Sequence, residues 1–475
     1  MEHSPTLVVD LDGTLLKTDM LVETGIDVFR HRPSQLLKVY SWLKTGKACL
    51  KKKLAEKSQI DVDLLPYNED VLSLIQNAKA KGQRVVLATA SDQVIANAIA
   101  NHLGVFDDVL ASDGVTNLSG VRKRDALNQY YGEGKYDYVG NSKDDLVIWE
   151  TANKSILVDP PPSVRKIARQ TSNIEKEIMP SQSKKNGWLK ALRPHQWSKN
   201  ALVFLPLFAS HQFSDPSLLI ASILAFTFFS MCASSAYLLN DILDLHDDRR
   251  HHSKKHRPFC SGRIPVFQGV LASTFLCIAG LAGSLFFLPY EFLTTLIVYY
   301  AITLSYSLIL KRKVAIDVIT LAMLYTIRII GGALAIEAEL TFWILTFSLF
   351  IFFSLALMKR YAELFKARIR GDGNKTSGRG YYPSDLEMIS SMGVSNGYLS
   401  ILFIALYIQD EKTALLYSDP TVLWLICPLL MFWVTRIWVI THRGEMHDDP
   451  VVFAIKDKIS LVTVLTSFLI FGFAL

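Results

Sequence analysis

From about residue 199 onward the chain passes through one apolar stretch after another. Nine can be marked, at about 199–212, 217–239, 266–288, 292–310, 314–336, 341–358, 393–409, 420–441 and 458–475. Most approach the ~20 residues an α-helix needs to cross a bilayer. Backbone polar groups in lipid must be satisfied within the segment, so runs of this kind predict an all-α polytopic bundle of nine transmembrane helices. The loops after the first, third and fifth runs contain no Lys or Arg, and the loop after the seventh contains only Lys412. The alternate loops, Arg249–Arg263, Lys311–Lys313, Lys359–Arg379 and Arg443–Lys458, hold the basic residues. The positive-inside rule makes those loops cytoplasmic, puts the N-terminus inside and, for an odd number of spans, the C-terminus outside.

The apolar excess is uneven. Half of the 475 residues are hydrophobic, yet roughly the first 185 read as a soluble domain. The formal charge of +6 is concentrated at the membrane edges, and no recognition motif accompanies it, which argues against a nucleic-acid partner. Five scattered cysteines suggest neither a disulfide framework nor a zinc site. The opening MEHSPTLVVDLDG lacks the charged-then-apolar pattern of a secretion signal, so the soluble domain is expected in the cytoplasm.

The densest charge lies at one of those edges, Asn240–Gly262. Asp241, Asp244 and Asp248 stand at offsets of three and seven, which places them on one helix face. Arg249, Arg250, His251, His252, Lys254, Lys255 and Arg257 follow. Clustered carboxylates suit Mg²⁺ bridging to substrate phosphates, and the bases could hold those phosphates directly. Other charges interrupt apolar sequence. Asp317 and Arg328 are eleven apart, close to one helix face. Lys359-Arg360-Tyr361-Ala362-Glu363 closes the sixth run, where Lys359 and Glu363 are spaced to pair. Ionisable groups within membrane segments are read as functional by default.

In the soluble domain, Thr6–Val9 reads as a buried strand running into Asp10-Leu11-Asp12-Gly13-Thr14. Residues of about 19–65 look helical and basic. Further strands are expected at Arg84–Ala88, Val109–Ala111, Tyr136–Val139 and Ser155–Val158, each ending in a polar loop. Strands alternating with helices predict a parallel α/β sheet with its site at the carboxyl ends. Pro160–Pro162 stops the last element. Residues 163–187 read as a linker with a helix within Val164–Glu177 and a tether through Ser181–Asn186. Trp188 and Trp197 flank a basic stretch that reads as an interfacial helix. The division is then 1–162, 163–187 and 188–475.

DLDGTL, Asp10–Leu15, resembles the first motif of the haloacid dehalogenase superfamily of phosphatases, and the later loops resemble its other motifs in order. The resemblance implies a Rossmannoid sheet with a small helical cap. It makes Asp10 the nucleophile of an aspartyl-phosphate and Asp12 the general acid/base. Thr89 and Lys123 would hold the phosphate, and Asn141 and Asp145 would join Asp10 and Asp12 around Mg²⁺. Asn141 stands where the family commonly has Asp.

The run of apolar segments together with NDxxDxxxDxxHxxKxxRP, Asn240–Pro258, resembles the UbiA superfamily of intramembrane prenyltransferases. That implies Mg²⁺-dependent diphosphate binding by Asp241, Asp244 and Asp248. Members acting on aromatic acceptors carry a second DxxxD motif, whereas here Asp317 is followed by Leu321. With RPHQWSKN (Arg193–Asn200), YSLILK (Tyr306–Lys311) and KRYAEL (Lys359–Leu364), the chain resembles the decaprenyl-phosphate phosphoribosyltransferase branch. The resemblance implies phosphoribosyl pyrophosphate as donor and polyprenyl phosphate as acceptor. Candidate substrate contacts are Asn240, Lys254, Arg257, Tyr306, Lys311, Asp317, Arg328, Lys359 and Arg360. The fused phosphatase-like domain would remove the product's 5-phosphate, for cell-envelope glycan synthesis. The expected setting is a bacterial inner membrane, with a second copy of the chain as a further candidate partner. Two rivals stand beside this. One is a prenyltransferase with a regulatory soluble domain. The other is a transporter or lipid-binding protein, against which the sequence lacks an inverted repeat or paired broken segments.

Overall fold

The computed structural model describes residues 5–179, 184–251, 254–371, 379–410, 417–446 and 449–474. His252, Lys412 and residues 181–183 of the expected tether lie outside the described residues. The chain forms two compact bodies, Met1–Ala191 with Asp241–Ala272, and Leu192–Asn240 with Ser273–Leu475.

The first body is built on a six-stranded sheet in the order β3-β2-β1-β4-β5-β6. Its strands are β1 (Thr6–Val9), β2 (Val85–Asp92), β3 (Asp108–Ser112), β4 (Tyr136–Gly140), β5 (Lys154–Val158) and β6 (Ile174–Ile178). Every pairing is parallel, and β1 is flanked by β2 and β4 through Leu7↔Val85 and Thr6↔Tyr136. Leu7, Val8 and Val9 are all buried, as expected of a central strand covered on both faces. The strand order reverses at β1, so Asp10 leaves the sheet at its topological switch point, where such sheets place their ligands.

The expected helical region is α1 (Met20–His31), α2 (Leu36–Thr45) and α3 (Lys47–Lys57). Asp19 starts α1 by accepting from the Leu21 N–H at 2.8 Å and the Val22 N–H at 3.3 Å. Gly46, at φ 135°, makes the turn between α2 and α3. The remaining helices of this part are α4 (Glu69–Ala80), α5 (Gln93–Leu103), α6 (Val121–Tyr131), α7 (Leu146–Trp149), α8 (Pro162–Thr171) and α9 (Lys184–Leu192). The stretch expected to open a linker supplies the helix expected there, α8, and then adds β6. Ile174–Ile178 reads IEKEI, and an edge strand tolerates such charges because one side of its ladder is open.

Beyond α9, a 3-10 helix covers Pro194–Phe204, followed by α10 (Leu205–Ala209), α11 (Pro216–Leu243), α12 (Leu245–Arg250) and α13 (Val266–Phe287). Then come α14 (Tyr290–Leu308), α15 (Ile316–Ala335), α16 (Phe342–Ile369), α17 (Leu386–Gln409), α18 (Ile426–His442), α19 (Pro450–Lys456) and α20 (Lys458–Ala474). Among the described residues seven helices are long and apolar enough to cross a membrane, or eight if α19 and α20, bent by 78°, form one span. The expected count of nine is not confirmed among them. The first apolar run is a 3-10 helix and a five-residue α-helix, not one long α-helix. Pro194 and Pro206 stand at the starts of these two pieces. Gly332 on α15 faces the Val203 backbone so closely that a Cβ would collide with it. Such close approach at small residues is common in membrane bundles, and here it brings the 3-10 segment onto α15.

Candidate active sites

The loops at the carboxyl ends of β1, β2 and β4 gather the first site. Asp10 is buried, and Lys123 from α6 donates to its Oδ1 at 2.7 Å and to the Tyr138 hydroxyl at 3.1 Å. Asp12 accepts from the Met20 N–H at 2.8 Å and from the Ser91 hydroxyl at 2.7 Å. Thr89 is fully buried, and its hydroxyl oxygen accepts from the Ser91 N–H at 2.9 Å. Lys51, on α3, was not singled out from the sequence. It donates to the Ala90 carbonyl at 2.6 Å and to Asn117 at 3.1 Å, which brings a cap cation to the end of β2. Burial pushes the Asp10 carboxyl up to about 7 against the pull of Lys123, with Asp145 and Asp12 adding to the rise. Burial also pushes Asp12 up to about 6, helped by Asp19 and opposed by its bonds from Ser91 and Met20.

The two metal candidates after β4 have different positions. Asp145 accepts from the Asn141 and Ser142 N–H groups at 3.0 and 2.8 Å, from the Ser142 hydroxyl at 2.9 Å and from Tyr138 at 2.8 Å. Three of these bonds end on Oδ2 and one on Oδ1, so Asp145 anchors this loop while Oδ1 keeps a lone-pair site. The Asn141 Oδ1 is buried and has no hydrogen-bond partner. Gly13, at φ 75°, leaves the space the Asn141 amide occupies, which a Cβ at that position would enter. Asn141 follows β4, the strand paired with β1, so this orphaned carbonyl oxygen lies at the same sheet end as Asp10 and suits a hard cation. Asp10 and Asn141 would hold Mg²⁺, with Asp12 free for proton transfer.

The aspartate segment also belongs to the first body. α11 ends at Leu243, Asp244 makes a turn, and α12 continues. Asp241 and Asp248 are buried. The 3-10 turn Lys254–His256 brings Arg257 back onto both, at 3.0 Å from Asp241 and in direct contact with Asp248. Lys254 lies 3.7 Å from Asp248. Burial raises the Asp248 carboxyl above its ordinary range, with Asp241 and Asp244 adding and Arg257 and Lys254 opposing. Arg257, expected on a phosphate, is thus the counter-ion that two buried carboxylates require. No group of three or more His, Cys, Asp and Glu stands in ion-holding geometry among the described residues.

The second body carries a separate cationic cluster. Arg328 is buried on α15 and donates to Asn200 Oδ1 at 2.8 Å, to the Tyr299 hydroxyl at 3.1 Å and to the Leu324 carbonyl. Its guanidinium lies 4.9 Å from the centre of the Tyr299 ring and 5.7 Å from that of Tyr325. The Lys199 ammonium is 5.8 Å from the centre of the Tyr325 ring and is ion-paired with Asp449. Lys359 is 3.9 Å from the same Asp449 carboxylate. Two lysines therefore share one carboxylate, and Arg328 stands with Lys199 beside the Tyr325 ring. Lys199 and Asp449 were not identified from the sequence. RPHQWSKN flagged only the stretch holding Lys199, and no local signal pointed to Asp449.

Asp317 does not join Arg328, despite their spacing. It forms a fully buried ion pair with Arg360 at 2.7 Å and accepts from Tyr381 at 2.7 Å. Glu363 pairs with Arg360, not with Lys359. Arg379 donates to Tyr306 at 2.9 Å and to the Lys311 carbonyl at 3.4 Å. Leu321, in the place of a second motif carboxylate, packs against the apolar core.

The UbiA prenyltransferase family model matches residues 201–462. An uncharacterized protein of Sinorhizobium fredii, y4nM, is 38% identical over 458 residues, 96% of this chain and 88% of its own. A decaprenyl-phosphate phosphoribosyltransferase of Mycobacterium tuberculosis is 28% identical over 278 residues, 58% of this chain and 89% of its own. A solved structure of a phospho-aspartyl intermediate analogue of phosphoserine phosphatase aligns with 37% of this chain and 94% of its own, at 16% identity and a TM-score of 0.27. With its Asp241–Arg257 segment, its apolar helices and a family match over more than half its length, the chain belongs to the UbiA prenyltransferase family.

Proposed function

We propose that this chain transfers a 5-phosphoribosyl group from phosphoribosyl pyrophosphate to a polyprenyl phosphate, and that its N-terminal domain removes the 5-phosphate from the product. The observation that carries the first step is the surplus of cations around Tyr325, in a body made of membrane-length helices. A buried Arg328 bonded, among the described residues, to neutral groups, beside two lysines sharing one carboxylate, suits an anion that arrives on a lipid. Leu321 in place of a second motif carboxylate fits an acceptor other than an aromatic ring. The mycobacterial relative supports the same choice of substrates.

The donor binds at the aspartate segment through its pyrophosphate. Asp241, Asp244 and Asp248 would hold Mg²⁺, which would neutralise charge on the pyrophosphate, while Arg257 and Lys254 turn from the carboxylates to the pyrophosphate oxygens. The bond from sugar C1 to pyrophosphate breaks with oxocarbenium character, and a lipid phosphate oxygen attacks C1. That oxygen is already anionic, so positioning and charge stabilisation suffice without a general base.

In the N-terminal domain, Asp10 attacks the 5-phosphate and Asp12 protonates the leaving sugar oxygen, then activates water. Lys123 and Thr89 steady the phosphoryl oxygens. Mg²⁺ held by Asp10 and Asn141 supplies charge neutralisation when bound. The soluble domain and the basic loops are assigned to the cytoplasmic face.

The test incubates membranes containing the chain with Mg²⁺, ribose-labelled phosphoribosyl pyrophosphate and polyprenyl phosphate. Label entering the lipid phase is expected. No label in lipid, with prenyl transfer from a prenyl diphosphate to an aromatic acceptor instead, would overturn the proposal.

A further inference from the structure

The first cap helix carries a charged stripe that neither reaction uses. Glu23, Asp27 and Arg30 share one face of α1. All three meet the segment that bears the aspartates, within the first body. Glu23 is fully buried and takes both terminal nitrogens of Arg249, at 2.7 and 3.1 Å. Arg249 also donates to the Cys260 carbonyl at 3.3 Å. Arg30 pairs with Asp247 at 2.5 Å, and His246 lies 3.9 Å from Asp27. Gly262, at φ 66°, meets the Lys17 backbone where no Cβ would fit.

At its other end α1 is fastened to the phosphatase-like site. The Met20 N–H donates to Asp12 at 2.8 Å, and the Gly13 N–H donates to the Thr18 carbonyl at 3.2 Å. The Thr18 hydroxyl donates to Glu23 at 2.7 Å. One helical turn therefore joins Asp12 to Glu23. One buried ion pair joins Glu23 to Arg249, the neighbour of Asp248. Buried ion pairs are poor stabilisers but effective devices for fixing register.

We propose that Glu23 is a positioning residue for the aspartate segment, and that through it occupancy of the Asp10–Asp12 site and of the Asp241–Asp248 segment are energetically coupled. The proposal rests on the diphosphate role given to that segment. By linkage, whatever shifts α1 on binding at Asp10 must shift diphosphate affinity, and the effect is reciprocal.

The test titrates the full chain in lipid nanodiscs with magnesium pyrophosphate, with and without beryllofluoride, which occupies a phosphate-accepting aspartate. In the wild type, beryllofluoride changes the pyrophosphate dissociation constant by a factor of about 5 or more. In Glu23→Gln and Thr18→Val the two titrations coincide, and Glu23→Asp recovers part of the factor. Thr18→Val retains the Glu23–Arg249 pair, so it decides the matter if Glu23→Gln does not fold. A wild-type affinity indifferent to beryllofluoride, or a full factor in both variants, overturns the proposal. Pyrophosphate reports on the segment whatever sugar the donor carries. A failed phosphoribosyl assay alongside an intact factor therefore counts against the transfer reaction alone.

Discussion

At Asn141 a carbonyl oxygen is buried without a partner, a situation that costs about 1–3 kcal/mol unless something fills it. A cation shared with Asp10 would fill it. Asn141→Ala should therefore raise the half-saturating Mg²⁺ for hydrolysis of a small phosphomonoester by about 10-fold or more, in the range seen for perturbed metal sites. An unchanged Mg²⁺ requirement would remove Asn141 from the ion's coordination. The raised Asp10 carboxyl gives this site a pH dependence. With a midpoint of about 7, Asp10 must lose a proton before it binds metal. Lowering the pH from 7 to 6 should raise the half-saturating Mg²⁺ by about 5-fold. For stability the sign is opposite to that of an ordinary paired carboxylate. The folded state holds this proton more tightly than the unfolded chain, so its contribution is present at low pH and lost as pH rises through about 7. The thermal midpoint of metal-free protein should fall between pH 5 and pH 8, and Mg²⁺ should flatten the decline. A midpoint that rises over that interval without metal would contradict the assignment.

Within the membrane helices, the pairing of α15 with α16 separates structural charges from functional ones. Asp317 and Arg360 are both fully buried and paired. Arg360→Leu alone should destabilise the chain by roughly 3–5 kcal/mol by stranding a carboxylate, while the double variant with Asp317→Leu should recover most of that loss. Unfolding in detergent measures both, and additive losses would show that the pair is not coupled. Lys199→Ala behaves differently if the cations around Tyr325 hold the lipid phosphate. Loss of one charge-assisted contact should raise the KM for polyprenyl phosphate about 10- to 100-fold while leaving the fold intact. An unchanged KM would assign Lys199 to structure. Elements such as β1 and the loop from Asp10 were legible because a β-branched run ends abruptly in two carboxylates. β6 was not legible, because IEKEI shows edge-strand charge where a buried strand would show apolar residues. The first apolar run folds as a 3-10 helix followed by a short α-helix, a distinction hydropathy does not make. Spacing along α15 suggested Asp317 with Arg328, yet each found its partner elsewhere, on α16 and at Asn200. Periodicity specifies a face and says nothing of which neighbour covers it.

On the scale of the whole molecule, the chain combines a parallel α/β body with a UbiA-family bundle, and the aspartate segment groups with the α/β body. Composition alone divided soluble from membrane sequence. It did not reveal that Asp241–Ala272 would fold with the N-terminal domain, because Glu23 and Arg249 are more than two hundred residues apart and carry no local signature. The central claim is that one chain first adds phosphoribose to a lipid phosphate and then strips its 5-phosphate. The most direct measurement uses phosphoribosyl pyrophosphate carrying one label in the ribose and another in the 5-phosphate, with wild type and Asp10→Asn compared. The account predicts that wild type retains the ribose label in lipid and releases the phosphate label as inorganic phosphate, whereas Asp10→Asn retains both in lipid. Phosphate label released equally by both proteins, or ribose label absent from lipid in both, would contradict it.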